Sequence, residues 1–204
     1  MCALSHADST IEHVRALYQQ ARVATDTGRP ARAIRGLRRA LDLLDVLDRD
    51  ASGPTTSLTT SLTTSPVTSP ATSDFLDDRV RVHLALSTAE FERGGAEVSR
   101  EHAEHALALS ADEPGLQAMC HSQLANVWGR SDQPARARAE LDLAAAGLDL
   151  LRPRERWAVL VNRGMVSLDL AEVGSAERDF AAAAELAAVH GMPRQEFMAR
   201  HNLG

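Results

Sequence analysis

Gly28-Arg29-Pro30-Ala31-Arg32-Ala33, followed by Leu37 and Ala40, decides how the whole chain is read. The pattern returns as Asp132-Gln133-Pro134-Ala135-Arg136-Ala137 with Leu141 and Ala144, each position 104 residues further on. A third copy is Ala176, Phe180 and Ala183, and a degenerate one is Ser99, Ala103 and Ala106. Spacings of four and three residues put the small, large and small side chains on one face of a helix. Twelve residues before each first small residue stands another one, at Ala21, Ser87, Ala125 and Gly164, and Gly204 begins a fifth copy in the same frame. The intervals between these are 66, 38, 39 and 40 residues. Self-similarity at such a period marks stacked repeats.

Small residues where two helices cross allow close approach, and a larger side chain there would overpack the contact at about 1–3 kcal/mol. The large residue of each copy, Leu37, Leu141 or Phe180, then fills the space between pairs, and truncating Leu141 to Ala should cost about 2–5 kcal/mol. These are packing positions, not a cofactor box. Punctuation agrees with helix pairs. Ser9-Thr10-Ile11-Glu12 reads as a capping box, Gly28 and Pro30 mark a turn, Ser131 or Asp132 is placed to cap a helix opened by Pro134, and Gly191 followed by Pro193 reads as a stop and a new start. Helices are expected near 9–27, 30–50, 75–93, 96–110, 114–130, 133–150, 153–171, 174–190 and 194–204.

The small-large-small arrangement resembles the tetratricopeptide repeat (TPR) family, whose motif has a small residue at its eighth position and small, large, small at its twentieth, twenty-fourth and twenty-seventh. Leu203-Gly204 is similar to the Leu-Gly of positions seven and eight. The resemblance implies an all-α, right-handed TPR-like α-solenoid of antiparallel helix pairs, four of them followed by one unpaired helix. A period of 38–40 residues, against the family's usual 34, implies longer helices. Residues 1–50 form the first pair, 51–74 a disordered Ser/Thr/Pro-rich linker, and 75–204 pairs two to four plus a truncated fifth-repeat helix, whose Phe197, Met198 and Leu203 would be exposed. The linker assignment follows from composition, since such a segment buries too little apolar surface to offset its ordering entropy.

In the TPR family the first helix of each pair lines a concave, peptide-receiving face. Carried over by position, the groove residues are Asn126, Arg130, Asn162, Met165 and Asn202. Some members clamp a terminal carboxylate with Asn and Lys; here Asn126 and Asn162 match the asparagines while Ser122 stands where the Lys would be. Leu160 to Met165, Ser175 to Phe180, His190 to Pro193 and Arg200 to Gly204 also resemble the repeats that precede the caspase-like domain of actinobacterial CHAT-domain proteins. That resemblance implies a non-catalytic protein-interaction scaffold, with any catalytic domain beyond Gly204. The alternative is the helical sensor arm of a TPR-containing transcriptional regulator or signalling ATPase.

Composition bounds the rest. Apolar residues make up 44% of the 204 and aromatics 3%, which suits helices packed through Ala and Leu. The net charge of -6 argues against a nucleic-acid partner. Lys is absent, which excludes a complete Walker A loop, a Schiff base and a Ser-x-x-Lys nucleophile, and the Ala-, Arg- and Leu-rich usage points to a high-GC bacterial genome. Two cysteines, Cys2 and Cys120, make no disulfide framework. No stretch reads as a signal peptide or a membrane span, so a cytoplasmic location is expected.

His102 and His105 lie three apart beside Glu101, but no Glu-x-x-His occurs, and a charged helix surface is expected there. Cys120 and His121 are adjacent, so their side chains diverge by about 100° on a helix and form no nucleophile–base pair. No active site, metal or cofactor is expected. Arg29, Arg32, Arg35, Arg38 and Arg39 precede Asp42, Asp45 and Asp48 on one helix, a polarity that opposes the macrodipole. Arg38 with Asp42, and Asp45 with Arg49, are spaced for pairing.

Overall fold

The computed structural model describes residues 2–52 and 70–204. Among them are nine α-helices, one short 3-10 turn and no strand. The chain divides into two units, Met1–Gly95 and Ala96–Gly204. The second helix pair expected from the sequence is therefore divided, its first helix in one unit and its second in the other.

The first unit contains α1 (Cys2–Asp26), α2 (Pro30–Ser52) and α3 (Pro70–Glu92), each packed on the other two. Val14, Ala21, Ala33, Leu37, Ala40, Leu44, Val82 and Leu86 form its core. α1 begins at Cys2, well before the Ser9–Glu12 capping box, which lies inside the helix. The reason is packing: Ala7 and Ile11 continue the stripe of Val14, Tyr18 and Ala21 onto the same core. Helix also covers Ala51 and Ser52 and runs from Pro70, which trims the expected 51–74 linker from both ends; residues 53–69 lie outside the described residues.

The ion pairs of the first unit include one between turns of a single helix, Arg81 with Asp77 of α3 at 2.8 Å, but those expected within α2 go to other helices instead. Arg38 reaches Glu90 of α3 at 3.2 Å, not Asp42. Arg79 of α3 takes Asp45 and Asp48, each at 2.6 Å, and Arg49 donates to the Asp45 carbonyl instead of its carboxylate. Arg15 of α1 holds Asp78 of α3 at 3.0 Å. Glu90 is fully buried, with Arg93 2.6 Å from its second oxygen. For Arg38 a buried partner such as Glu90 is less hydrated than Asp42 on its own exposed face, so the tertiary pair wins over the local one.

The second unit contains α4 (Ala96–Leu109), α5 (Pro114–Arg130), α6 (Pro134–Ala146), α7 (Pro153–Asp169), α8 (Val173–Val189) and α9 (Pro193–His201). Neighbours in sequence pack as neighbours in space, α5 on α6, α7 on α8 and α8 on α9. Among the described residues, six helices open at Pro30, Pro70, Pro114, Pro134, Pro153 and Pro193, where the missing N–H would have no helical partner anyway. The turn inside each pair places one residue in the left-handed region: Gly28, Gly94, Asp132 and Ala171. Neither Ser131 nor Asp132 caps α6. Ser131 ends α5, Asp132 makes the turn, and Gln133 precedes Pro134 without a side-chain cap.

α6 stops at Ala146 rather than near 150, and Leu148–Leu150 form the 3-10 turn. Gly147 makes this possible, because a Cβ there would lie 2.8 Å from both the Ala118 Cβ and the Pro114 carbonyl. α9 likewise ends at His201, with Asn202 as its C-terminal cap. Phe197, Met198 and Leu203 are exposed. Across α4, α5 and α6, the Arg100 and Arg136 guanidinium groups lie 5.8 and 4.8 Å from the Trp128 ring centre, a cation–π contact that joins three helices.

Ala21, Ala33, Leu37, Ala40, Ala125, Ala137, Leu141, Ala144, Gly164, Ala176, Phe180 and Ala183 are all buried. So are Ser87, Ser99, Ala103 and Ala106. The tightest of these contacts is between α7 and α8, where a Cβ on Gly164 would meet the Phe180 ring at 2.6 Å. Gly164→Ala should destabilise the chain by about 1–3 kcal/mol, read as a lower urea midpoint. Phe180→Leu made in the Gly164→Ala background should recover part of that loss, and strict additivity of the two changes would show that the ring and the glycine do not meet.

Candidate protein-binding face

The residues assigned to a groove fall on two adjacent helices of the second unit. α5 carries Asn126 and Arg130, four residues apart and so on one face. α7, which packs directly on α5, carries Asn162 and Met165. The Asn162 amide donates to Ser122 Oγ at 3.4 Å. Ser122 is one turn before Asn126, so this bond brings the two asparagines onto a common face. Both are half-buried, while Arg130 and Met165 are exposed. Half-burial on a packed helix orients an amide and leaves donors and acceptors for a ligand. Asn202 is not linked to these residues by a hydrogen bond among the described residues. It ends α9, which packs on α8, and its side chain makes no hydrogen bond among the described residues.

Sequence reasoning passed over the charged pairs that position these helices. His121 Nδ1 of α5 lies 2.7 Å from Glu140 of α6. Arg163 of α7 donates to both oxygens of Asp179 of α8, from Nε at 2.8 Å. Arg138 of α6 reaches Glu172, just after α7, at 2.6 Å and Ser167 of α7 at 3.3 Å. The signal was present: Glu140 and Asp179 each stand three residues after the first small position, Ala137 and Ala176. Acids at one repeat position are evidence of a shared partner direction, even though the bases that meet them differ.

Cys120 and His121 are engaged separately. The Cys120 thiol is buried against Ser110 Oγ at 3.7 Å, whereas His121 turns toward α6. Burial pushes the Cys120 thiol up to about 11, with the Ser110 contact opposing weakly. A neutral, enclosed thiol is not a nucleophile. Among the described residues no three His, Cys, Asp or Glu side chains converge to hold a metal ion, and no helix is long and apolar enough to cross a membrane.

No protein-family model matches the chain, and no curated protein does. Solved structures do match. The chain is similar to a Podosopora anserina putative kinesin light chain with nearly identical TPR-like repeats, at 16% identity and a TM-score of 0.57, covering 93% of this chain and 82% of that one. It is similar to the apo form of RapI at 14% identity and a TM-score of 0.59, covering 91% of this chain and 45% of that one. It is also similar to the Rap conjugation gene regulator of plasmid pLS20, solved in complex with the Phr* peptide, at 16% identity and a TM-score of 0.51, covering 94% and 57%. At these identities the likeness establishes the fold: an all-α arrangement of TPR-like helix pairs.

A thiol raised from about 9 to about 11 holds roughly a hundredfold less thiolate at pH 8. In a Cys2→Ser chain, Cys120 should therefore react with Ellman's reagent at least about a hundredfold more slowly when native than in urea. Equal rates would show that the thiol is open and ionised.

Proposed function

We propose that the chain is a non-catalytic scaffold that holds a segment of another protein against the α5–α7 face. The observation that carries this reading is the Asn162–Ser122 bond, which sets Asn162 beside Asn126 on neighbouring helices with Arg130 and Met165 exposed around them. Two amides so placed bond the backbone of an extended segment, which needs paired donors and acceptors. Met165 adds an adaptable apolar contact. The Rap neighbour solved with a peptide supports a peptide as the ligand class. Ser122 brings no positive charge, so capture of a terminal carboxylate is not part of the proposal.

A second reading, a sensor arm of a transcriptional regulator, is favoured by the likeness to a conjugation gene regulator. In it the same face receives a signal peptide and the output lies in another domain. The association with a CHAT-type protease domain rests on the sequence resemblance of the fourth and fifth repeats alone. A cytoplasmic location fits the free thiol of Cys120.

Phage-displayed peptides selected on the whole chain provide the test. Selected peptides should bind an Asn126→Ala/Asn162→Ala chain about tenfold or more weakly in calorimetry, the value of two lost hydrogen bonds, while Asn202→Ala leaves affinity unchanged. Peptides that bind the double variant as well as the parent would place the ligand elsewhere, and a selection that enriches nothing would remove the scaffold reading.

A further inference from the structure

In two of the repeats the second helix of the pair points an acid at the first. Glu140 meets His121, and Asp179 meets Arg163. Both acids stand three residues after the first small residue of their helix, and the corresponding residue of α2 is Gly36, three after Ala33. The pair is thus missing from the first unit. A Cβ at Gly36 would touch nothing within 4 Å and its backbone is ordinary helix, so neither a close contact nor a turn requires glycine. Inside a helix, glycine is the least favourable residue after proline.

The space left open is a groove of about 620 Å³ between α1 and α2. Leu17 and Gln20 form its α1 wall, and Arg32, Arg35 and Arg39 surround Gly36 on the α2 wall. Unlike Arg38, which is held by Glu90, none of these three arginines forms an ion pair among the described residues. Arg32 sits in the first turn of α2, which has no acid there, and Arg35 and Arg39 follow on the next two turns. The N-terminal end of a helix already carries partial positive charge, so Arg32 is opposed by the helix end, and the three arginines repel one another. An anion in the groove would relieve both.

We propose that this groove binds an acidic peptide segment of a partner protein, with a ligand carboxylate standing where Glu140 and Asp179 stand in their own repeats. Arg32 to Arg39 spans about 10 Å along the helix, and alternate side chains of an extended peptide are about 7 Å apart. Two carboxylates on one edge of the peptide meet the arginines as charge-assisted, forked hydrogen bonds. An intervening apolar side chain lies against Leu17. The length of the arginine row favours such a segment over a single small anion. This site is separate from the α5–α7 face, and either can fail without the other.

Fluorescence anisotropy of the whole chain with a fluorescein-labelled Ala-Glu-Leu-Glu-Ala-Glu peptide tests it. The peptide should bind, and its Gln-substituted counterpart should bind about tenfold or more weakly. Gly36→Leu, which fills the groove with a better helix former, should lower affinity by a similar factor with the melting temperature unchanged or raised. Arg35→Gln/Arg39→Gln, two exposed changes, should do the same with helicity intact. Equal binding of the Gln peptide, undiminished binding to Gly36→Leu and to the arginine variant, or no binding of the Glu peptide would each overturn the proposal. Inorganic phosphate or anionic lipid vesicles binding the parent chain as tightly as the Glu peptide, with the same loss in Gly36→Leu, would assign the groove to a different anion and overturn it too.

Discussion

The distance of closest approach between paired helices is the constraint on which the rest depends. At the α7–α8 crossing the Phe180 ring lies where a Gly164 Cβ would be, and at the end of α6 the same is true of Gly147 against Pro114 and Ala118. Elsewhere alanine is small enough, as with Ala125, Ala137 and Ala144 around Leu141. Interiors are packed densely enough that one extra methyl group in such a place is felt. The small residues do not themselves bury much area. They let the large ones, Leu37, Leu141 and Phe180, reach full burial, and that burial is where the hydrophobic stabilisation resides.

Once the helices lie close, their charged residues meet across the crossings. Arg163 with Asp179, His121 with Glu140, Arg15 with Asp78 and Arg38 with Glu90 all join different helices. Pairs of this kind add little net stability when half-exposed, but a buried acid such as Glu90 or Asp179 tolerates only the arrangement that supplies its partner. They therefore select one rotation of each helix about its axis. That rotation is what presents Asn126 and Asn162 on one face, and what leaves Arg32, Arg35 and Arg39 without an ion pair among the described residues in the helix where glycine replaces the acid.

The chemistry of the surface follows from the same accounting of neighbours. Cys120, the side chain with the most intrinsic reactivity among those described, is enclosed and held neutral, and His121 beside it is already occupied by Glu140. On the α5–α7 face the accessible groups are the half-buried amides of Asn126 and Asn162, the Arg130 guanidinium and the exposed Met165.

Helix order, the prolines that open helices and the small-large-small packing stripe were legible in the sequence, because each depends on local spacing along a 3.6-residue period. Helix ends were less legible. α1 extends back to Cys2 because Ala7 and Ile11 find a core, and α6 is cut short because Gly147 meets α5; neither neighbour is visible along the chain. Ion pairs were least legible. Arg38 and Asp42 satisfy every local rule for pairing, yet Arg38 goes to Glu90, since charges choose the partner that is nearest and least hydrated in three dimensions. The sequence by itself determined that this chain makes pairs of helices meeting through small residues. Only the tertiary structure decided which polar groups are consumed in holding those pairs and which remain for a partner, because a side chain's availability depends on what the rest of the chain brings within a few ångströms of it.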